Sequence, residues 1–202
     1  QRATTFFTTA PFSNLTATAA ILSQVPPNTT VHLGNSGTIR YSQLAPTRTD
    51  LIYHSNRGTS GIDGSLSAAV GAAMVSSKLH VAILGDLSFV YDSNALWNKN
   101  FPKNLKIIVL NDQGGGIFRL LDGPSRMPFF EEFSVAHHPV DLQHLVNAFG
   151  LKHLYASNIP KLQTALATLF ASDTGPALLE INTAKSENSA IFKQFFKSLQ
   201  NR

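Results

Sequence analysis

Short apolar runs alternate along the chain with segments whose apolar positions recur at helical spacing. The runs are residues 30–33 (Thr-Val-His-Leu), 51–54 (Leu-Ile-Tyr-His), 79–84 (Leu-His-Val-Ala-Ile-Leu), 105–110 (Leu-Lys-Ile-Ile-Val-Leu), 152–156 and 177–182. Helices are expected over 62–76, 90–100, 140–149, 160–171 and 186–200. The first is Ala-rich, the second follows Asp86-Leu87-Ser88, the third stops at Gly150, and Pro160 suits the first turn of the fourth. This alternation predicts an α/β fold, a mostly parallel sheet of about six strands with helices on both faces. Runs 79–84 and 105–110 each end in a polar or Gly-rich turn, and that carboxyl edge of an open sheet is where ligands bind. Residues 1–29, rich in Thr and Pro, read as a linker and first helix leading into a domain over 30–202. With Gln1 in first place, the chain is expected to be a piece of a longer polypeptide.

Composition narrows the partners. Charged residues are 14% of the chain, against roughly 25% in an ordinary soluble protein, so part of the surface is expected to be covered. A net charge of +4 without a block of like charges gives no basis for nucleic acid or a membrane surface as partner. No apolar run reaches membrane-spanning length. The absence of cysteine excludes disulfides and thiolate metal sites and favours an intracellular, cytoplasmic setting.

Two clusters carry the candidate chemistry. Gly85-Asp86-Leu87-Ser88 stands where a buried strand gives way to a helix. The glycine lets the backbone approach a ligand, and amides at a helix start point toward an anion such as phosphate. Asn111-Asp112-Gln113-Gly114-Gly115-Gly116-Ile117-Phe118 also follows a buried strand. Its three glycines free the backbone to wrap an anion, and a carbonyl there can turn toward a cation. One helix and one strand separate Asp86 from Asp112, so both carboxylates can reach the same sheet edge. Two carboxylates, a carbonyl and phosphate oxygens make an oxygen-only shell suited to magnesium. Each cluster taken alone also reads as an ordinary turn.

Together the clusters resemble the fingerprint of the thiamine-diphosphate enzymes, Gly-Asp followed one helix and one strand later by Asn-Asn or a close variant. The resemblance implies the diphosphate-binding (PP-type) domain of that fold, with thiamine diphosphate and Mg2+ as cofactors. It implies Asp86, Asp112 and the Gly114 carbonyl as metal ligands, with Gly85, Leu87, Ser88, Gly115 and Ile117 beside the cofactor. Asp112 departs from the usual asparagine and adds a negative charge beside the diphosphate. Gly34-Asn35-Ser36, the stretch Ser55-Asn56-Arg57-Gly58-Thr59-Ser60-Gly61-Ile62-Asp63-Gly64, and Leu87 after Gly-Asp narrow the likeness. Over residues 31–120 the chain is similar to the 2-succinyl-5-enolpyruvyl-6-hydroxy-3-cyclohexene-1-carboxylate synthases of menaquinone biosynthesis.

That narrower likeness implies a transferase that decarboxylates 2-oxoglutarate and adds the succinyl carbanion to isochorismate. Ile62 would be the apolar prop that bends the cofactor, and Phe118 a wall against the ring substrate. Ser36, Arg40 and Arg57 would face the substrates' carboxylates, which guanidinium groups bind in bidentate fashion. The activating glutamate would belong to an N-terminal pyrimidine-binding domain from a second subunit of a homodimer or homotetramer. The present chain alone is then expected to be inactive.

Plainer readings stand beside these. Arg57 reads equally as a surface turn residue, Ile62 as ordinary core, and Phe118 as a cap on the core. Another thiamine-dependent 2-keto acid decarboxylase or ligase would share both aspartates. A non-catalytic phosphate- or nucleotide-binding module is disfavoured because Gly114-Gly115-Gly116 does not follow Gly-x-Gly-x-x-Gly. The seven histidines lack zinc spacing, and those in strand runs are expected to be hydrogen-bonded scaffold. His137-His138 falls in the 120–139 segment, where a surface loop is the expectation ahead of a lid.

Overall fold

Strands β1 (Thr30–Leu33), β2 (Ile52–His54), β3 (His80–Gly85), β4 (Leu105–Asn111), β5 (Lys152–Ala156) and β6 (Ala177–Asn182) form one sheet. Every pairing is parallel, in the order β2-β1-β3-β4-β6-β5. The computed structural model describes all residues except 1, 121, 122, 124, 125, 172–174, 201 and 202. All six expected strands are present, with ends displaced by at most one residue.

The helices are α1 (Arg2–Thr9), α2 (Asn14–Gln24), α3 (Gly37–Leu44), α4 (Ser65–Met74), α5 (Asp86–Tyr91), α6 (Phe130–Phe133), α7 (Leu142–Ala148), α8 (Ile159–Leu169) and α9 (Asn188–Gln200). They divide between the two faces of the sheet. Val81, Ile83, Ile108 and Leu110 share a core with α2, α3, α8 and α9, while Ala82, Leu84, Ile107 and Val109 share one with α4, α5 and α7. A strand covered on both sides has no solvent face, which is why its apolar residues run consecutively rather than alternately.

Two expected elements differ. The helix expected over 62–76 starts at Ser65, and its first turn is held from a distance: Ser67 donates to Asp92 through both its backbone N (2.7 Å) and its hydroxyl (2.5 Å). The helix expected over 90–100 begins at Asp86, directly off β3. It stops after Tyr91, because Asp92 is committed to α4, and the chain continues as a 3-10 turn over Ser93–Trp97. Near the amino end, Ser13 and Thr16 form a reciprocal capping box on α2. Leu15, Ala17 and Ile21 of that helix are buried in the same core as the sheet, so packing runs unbroken across position 30, the expected boundary.

Connections leave β1 toward β2 on one side and β3 toward β4 on the other. The direction of winding therefore reverses between β1 and β3, and a crevice opens there at the carboxyl edge. Beneath it, His54, His32 and His80 line up across β2, β1 and β3. His32 Nε2 lies 2.9 Å from His80 Nδ1, and the rings stack at 5.2 Å. Burial first, then His80 and His54, pulls the His32 pKa from 6.5 down to about 4.

Folded His32 thus stays neutral where the unfolded chain takes up a proton. Its contribution is complete above the unfolded value of 6.5 and is lost as pH falls toward about 4. Urea titrations across that window should show stability falling by on the order of 2 kcal/mol from this group, and His32→Gln should flatten the slope.

Candidate functional site

Loops leaving β1, β3 and β4 meet at the carboxyl edge around an open cavity of about 150 Å³. Ser36, Ile62, Gly85, Asp86, Leu87 and Ser88 line it from one side, and Asp112, Gly114, Gly115, Ile117 and Phe118 from the other. Arg40 and Arg57 are exposed and do not line it. Arg40 lies on α3 one turn beyond Ser36. Arg57 is joined to the wall indirectly, because its Nη1 donates to Asn35 Oδ1 at 2.9 Å. Ser36 and Gln113, in the loops after β1 and β4, hold positive φ values of 68° and 61°, uncommon for residues other than glycine and typical of functional loops.

Asp86, 2% exposed, is the first residue of α5. Leu87 N donates to its Oδ1 and Gly114 N to its Oδ2, both at 2.8 Å, and His138 Nε2 lies 3.1 Å from Oδ2. Val140 N donates to His138 Nδ1 (3.3 Å), so in the neutral ring the proton sits on Nε2 and His138 donates to Asp86. The bond to Asp86 raises the His138 pKa. Oδ2 then has both lone pairs engaged while Oδ1 keeps one for a further partner.

Of the Asn111-Asp112 pair, only Asp112 lines the cavity. Asn111 donates from Nδ2 to Glu180 Oε1 (2.8 Å) and accepts from Gln113 N at Oδ1 (3.0 Å). Asn14 Nδ2 donates to Asp112 Oδ2 (3.1 Å). Burial first and the Asp86 charge second push Asp112 up to about 7, against the opposing pull of Arg119 and the Asn14 bond. Tyr41, buried at the same wall, is raised by burial and then by Asp112. Among the described residues no three His, Cys, Asp or Glu side chains converge to hold a metal. A cation at this edge would need carbonyl or ligand oxygens beside the two carboxylates.

Glycine is required at two points of the loop. Gly114 has φ 145°, and a Cβ there would lie 2.5 Å from the Val135 carbonyl; a Cβ on Gly116 would overlap Asp112 Oδ2. The Gly114 carbonyl accepts from Gly116 N (3.0 Å) and retains a second lone pair. Gly115 N donates to Val135 O, and His137 Nδ1 lies 2.7 Å from Gln113 O. Residues 135–138 are thereby fastened onto the Gly-rich loop. His137 is half exposed, as the surface-loop expectation has it. The His138 side chain, only 11% exposed, corrects that expectation, because the return from α6 to α7 crosses the mouth between β3 and β4. Positions 121, 122, 124 and 125 of the 120–139 segment lie outside the described residues.

Sequence reasoning missed Asn14, Tyr41 and His138, and quoted Asn35 in a motif without a role. Asn14 is 98 positions from Asp112 and carries no local signal. Asn35 could have been found as an amide placed directly after a strand at the binding edge.

Residues 33–181 match the family described as thiamine pyrophosphate enzyme, C-terminal TPP binding domain. The chain is also similar to curated proteins named 2-succinyl-5-enolpyruvyl-6-hydroxy-3-cyclohexene-1-carboxylate synthase. One from Desulfotalea psychrophila is 49% identical over 80% of this chain and 30% of its own length. Those from Flavobacterium johnsoniae and Christiangramia forsetii are 43% and 40% identical, over 93% and 94% of this chain and 34% and 33% of their own lengths. The chain spans about a third of the length of these relatives.

Asp112 has a folded pKa above its unfolded 3.8, so it favours folding at low pH, and its penalty grows as pH rises from about 4 through about 7. In chelator-treated protein, Asp112→Asn should raise stability at pH 8 by on the order of 2 kcal/mol and leave it unchanged near pH 4. Thermal melts at the two pH values check this, and added magnesium should narrow the difference at pH 8.

Proposed function

This chain belongs to the thiamine pyrophosphate enzymes, as their C-terminal TPP-binding domain, and from that membership we propose that it is the cofactor-binding part of a 2-succinyl-5-enolpyruvyl-6-hydroxy-3-cyclohexene-1-carboxylate synthase. The full enzyme would join 2-oxoglutarate to isochorismate in menaquinone biosynthesis. One observation carries the reading: Asp86 and Asp112, delivered by adjacent strands, share a cavity with a Gly-rich loop, and Asp112 is destabilised as an anion by burial and by its neighbour's charge. A divalent cation placed between them would relieve that repulsion.

The donor set suits magnesium. Asp86 has a lone pair left on Oδ1, Asp112 faces the same cavity, and the Gly114 carbonyl has one lone pair to spare. All are hard oxygen donors, and the diphosphate of the cofactor would complete the shell. Bound thiamine diphosphate supplies the electron sink for decarboxylation of a 2-oxo acid. Gly85, Leu87, Ser88, Gly115 and Ile117 would bind and orient it, with Ile62 as the apolar prop. Arg57, whose remaining guanidinium donors have no partner among the described residues, would bind a substrate carboxylate. Ser36 and Phe118 would form the substrate wall, and Arg40 would act from farther out.

The cavity also reads as one wall of a larger site. Its volume, about 150 Å³, falls below the roughly 300–1,000 Å³ of pockets that enclose a small molecule. Phe118, which lines the cavity, is itself 40% exposed and gives this edge apolar surface for another domain to cover. We therefore place the pyrimidine-binding domain, and a second subunit of a homodimer or homotetramer, opposite this edge. The chain alone is expected to show no turnover.

Calorimetry on the full-length protein tests the assignment. Asp86→Ala should abolish magnesium-dependent binding of thiamine diphosphate and lower kcat/KM by at least about 100-fold, given the several kcal/mol that a metal and its charge contribute. A preference for pyruvate over 2-oxoglutarate in competition would overturn the synthase reading and leave the cofactor reading standing.

A further inference from the structure

We propose that Asn35 is a positioning residue that sets the substrate-facing loop of residues 55–64, fixing Arg57 and Ile62 together through one buried carboxamide. The inference rests on the roles given above to Arg57 and Ile62.

This loop has no regular secondary structure, and residues 56–61 are all exposed. Packing alone therefore cannot hold it. Its base is tied where Ser55 Oγ donates to Leu33 O (2.9 Å). Beyond that point the inner anchor is Asn35, 2% exposed at the end of β1. Its Nδ2 donates to Asn56 O (2.7 Å) and to Gly61 O (2.6 Å), and its Oδ1 accepts from Arg57 Nη1 (2.9 Å). Both amide hydrogens and the oxygen are used. Only one orientation of the group works, because two carbonyls need its NH2 and a guanidinium needs its oxygen.

The consequences reach both functional side chains. The carbonyl just before Ile62 is held by Asn35, and the Ile62 carbonyl accepts from Ser88 Oγ (2.5 Å), so the Ile62 backbone is gripped from both sides. Arg57 spends one donor on Asn35 and presents the rest of a planar fork to solvent, which is what bidentate capture of a carboxylate requires. Asn35 is itself placed by the sheet: Gly34 N donates to Ile83 O (2.8 Å), locking the end of β1 to β3. No other side chain of this size does the same work. Aspartate would keep the arginine and repel both carbonyls, whereas leucine would lose all three bonds.

A double-mutant cycle in the full-length enzyme tests this, with Asn35→Ala, Arg57→Ala and the pair compared in kcat/KM for the 2-oxo acid. Each single change should cost at least about 10-fold, and the pair should cost less than the product of the two by at least about 5-fold, the mark of residues acting through one another. Limited trypsin cleavage at Arg57, read independently of activity, should speed up about 10-fold or more in Asn35→Ala while the rest of the domain stays as resistant as in the parent. Should the alanine variant not fold, Asn35→Asp serves, since it retains the size and the arginine contact and lacks the donors to the two carbonyls. Multiplicative losses, or cleavage at Arg57 as slow as in the parent, would overturn the proposal. If Arg57→Ala alone leaves kcat/KM intact, the role given to Arg57 falls, while the cleavage result still judges Asn35.

Discussion

Two carboxylates at the ends of adjacent parallel strands are the constraint on which this site depends. The β3–β4 register pairs Gly85 with Leu110, so Asp86 and Asp112 emerge within one residue of the same level and line one cavity. Burial first and the neighbouring Asp86 charge second oppose ionisation of Asp112, which is pushed up to about 7. A positive partner at this edge would relieve that cost at neutral pH. The cofactor family to which the chain belongs offers a physical reason for retaining the pair.

Neutral groups do most of the holding around these acids. Asn14 donates to Asp112 and is itself fixed on two sides, by Thr183 Oγ1 on its Oδ1 and by Asn188 Oδ1 on its backbone N, both at 2.7 Å. Gly114 and Leu87 amides hold Asp86. Amides orient a carboxylate without cancelling its charge, whereas a buried lysine or arginine in the same place would occupy the position a cation needs. The amide donors thus fix the geometry of both acids and add no positive charge of their own.

The same economy governs the loop after β2. It is exposed and irregular, yet it carries residues that must be placed to fractions of an ångström if they are to serve a substrate. One amide at the end of the neighbouring strand converts the precision of the sheet into precision in the loop. Residues 135–138, fastened to the Gly-rich loop by backbone bonds, apply the same device at the opposite wall.

The inner strands β1, β3, β4 and β6 were legible because double-sided burial leaves an uninterrupted apolar run, the largely exposed edge strands β2 and β5 only as short β-rich runs. The aspartates were legible because Gly-Asp and Asn-Asp each follow an inner strand. Eleven of the thirteen site residues that the family resemblance implied line one cavity, yet Arg40 and Arg57 stand off its wall. The end of α5 at Asp92, the distant cap on α4, the bond from Asn14 to Asp112 and the contact of His138 with Asp86 left no local trace. Periodicity and turn chemistry are properties of neighbours along the chain, so sequence alone determined the elements and the two acids they carry. Hydrogen bonds between residues 25 to 98 positions apart exist only once the sheet has formed, so the tertiary structure alone decided which groups hold those acids and how.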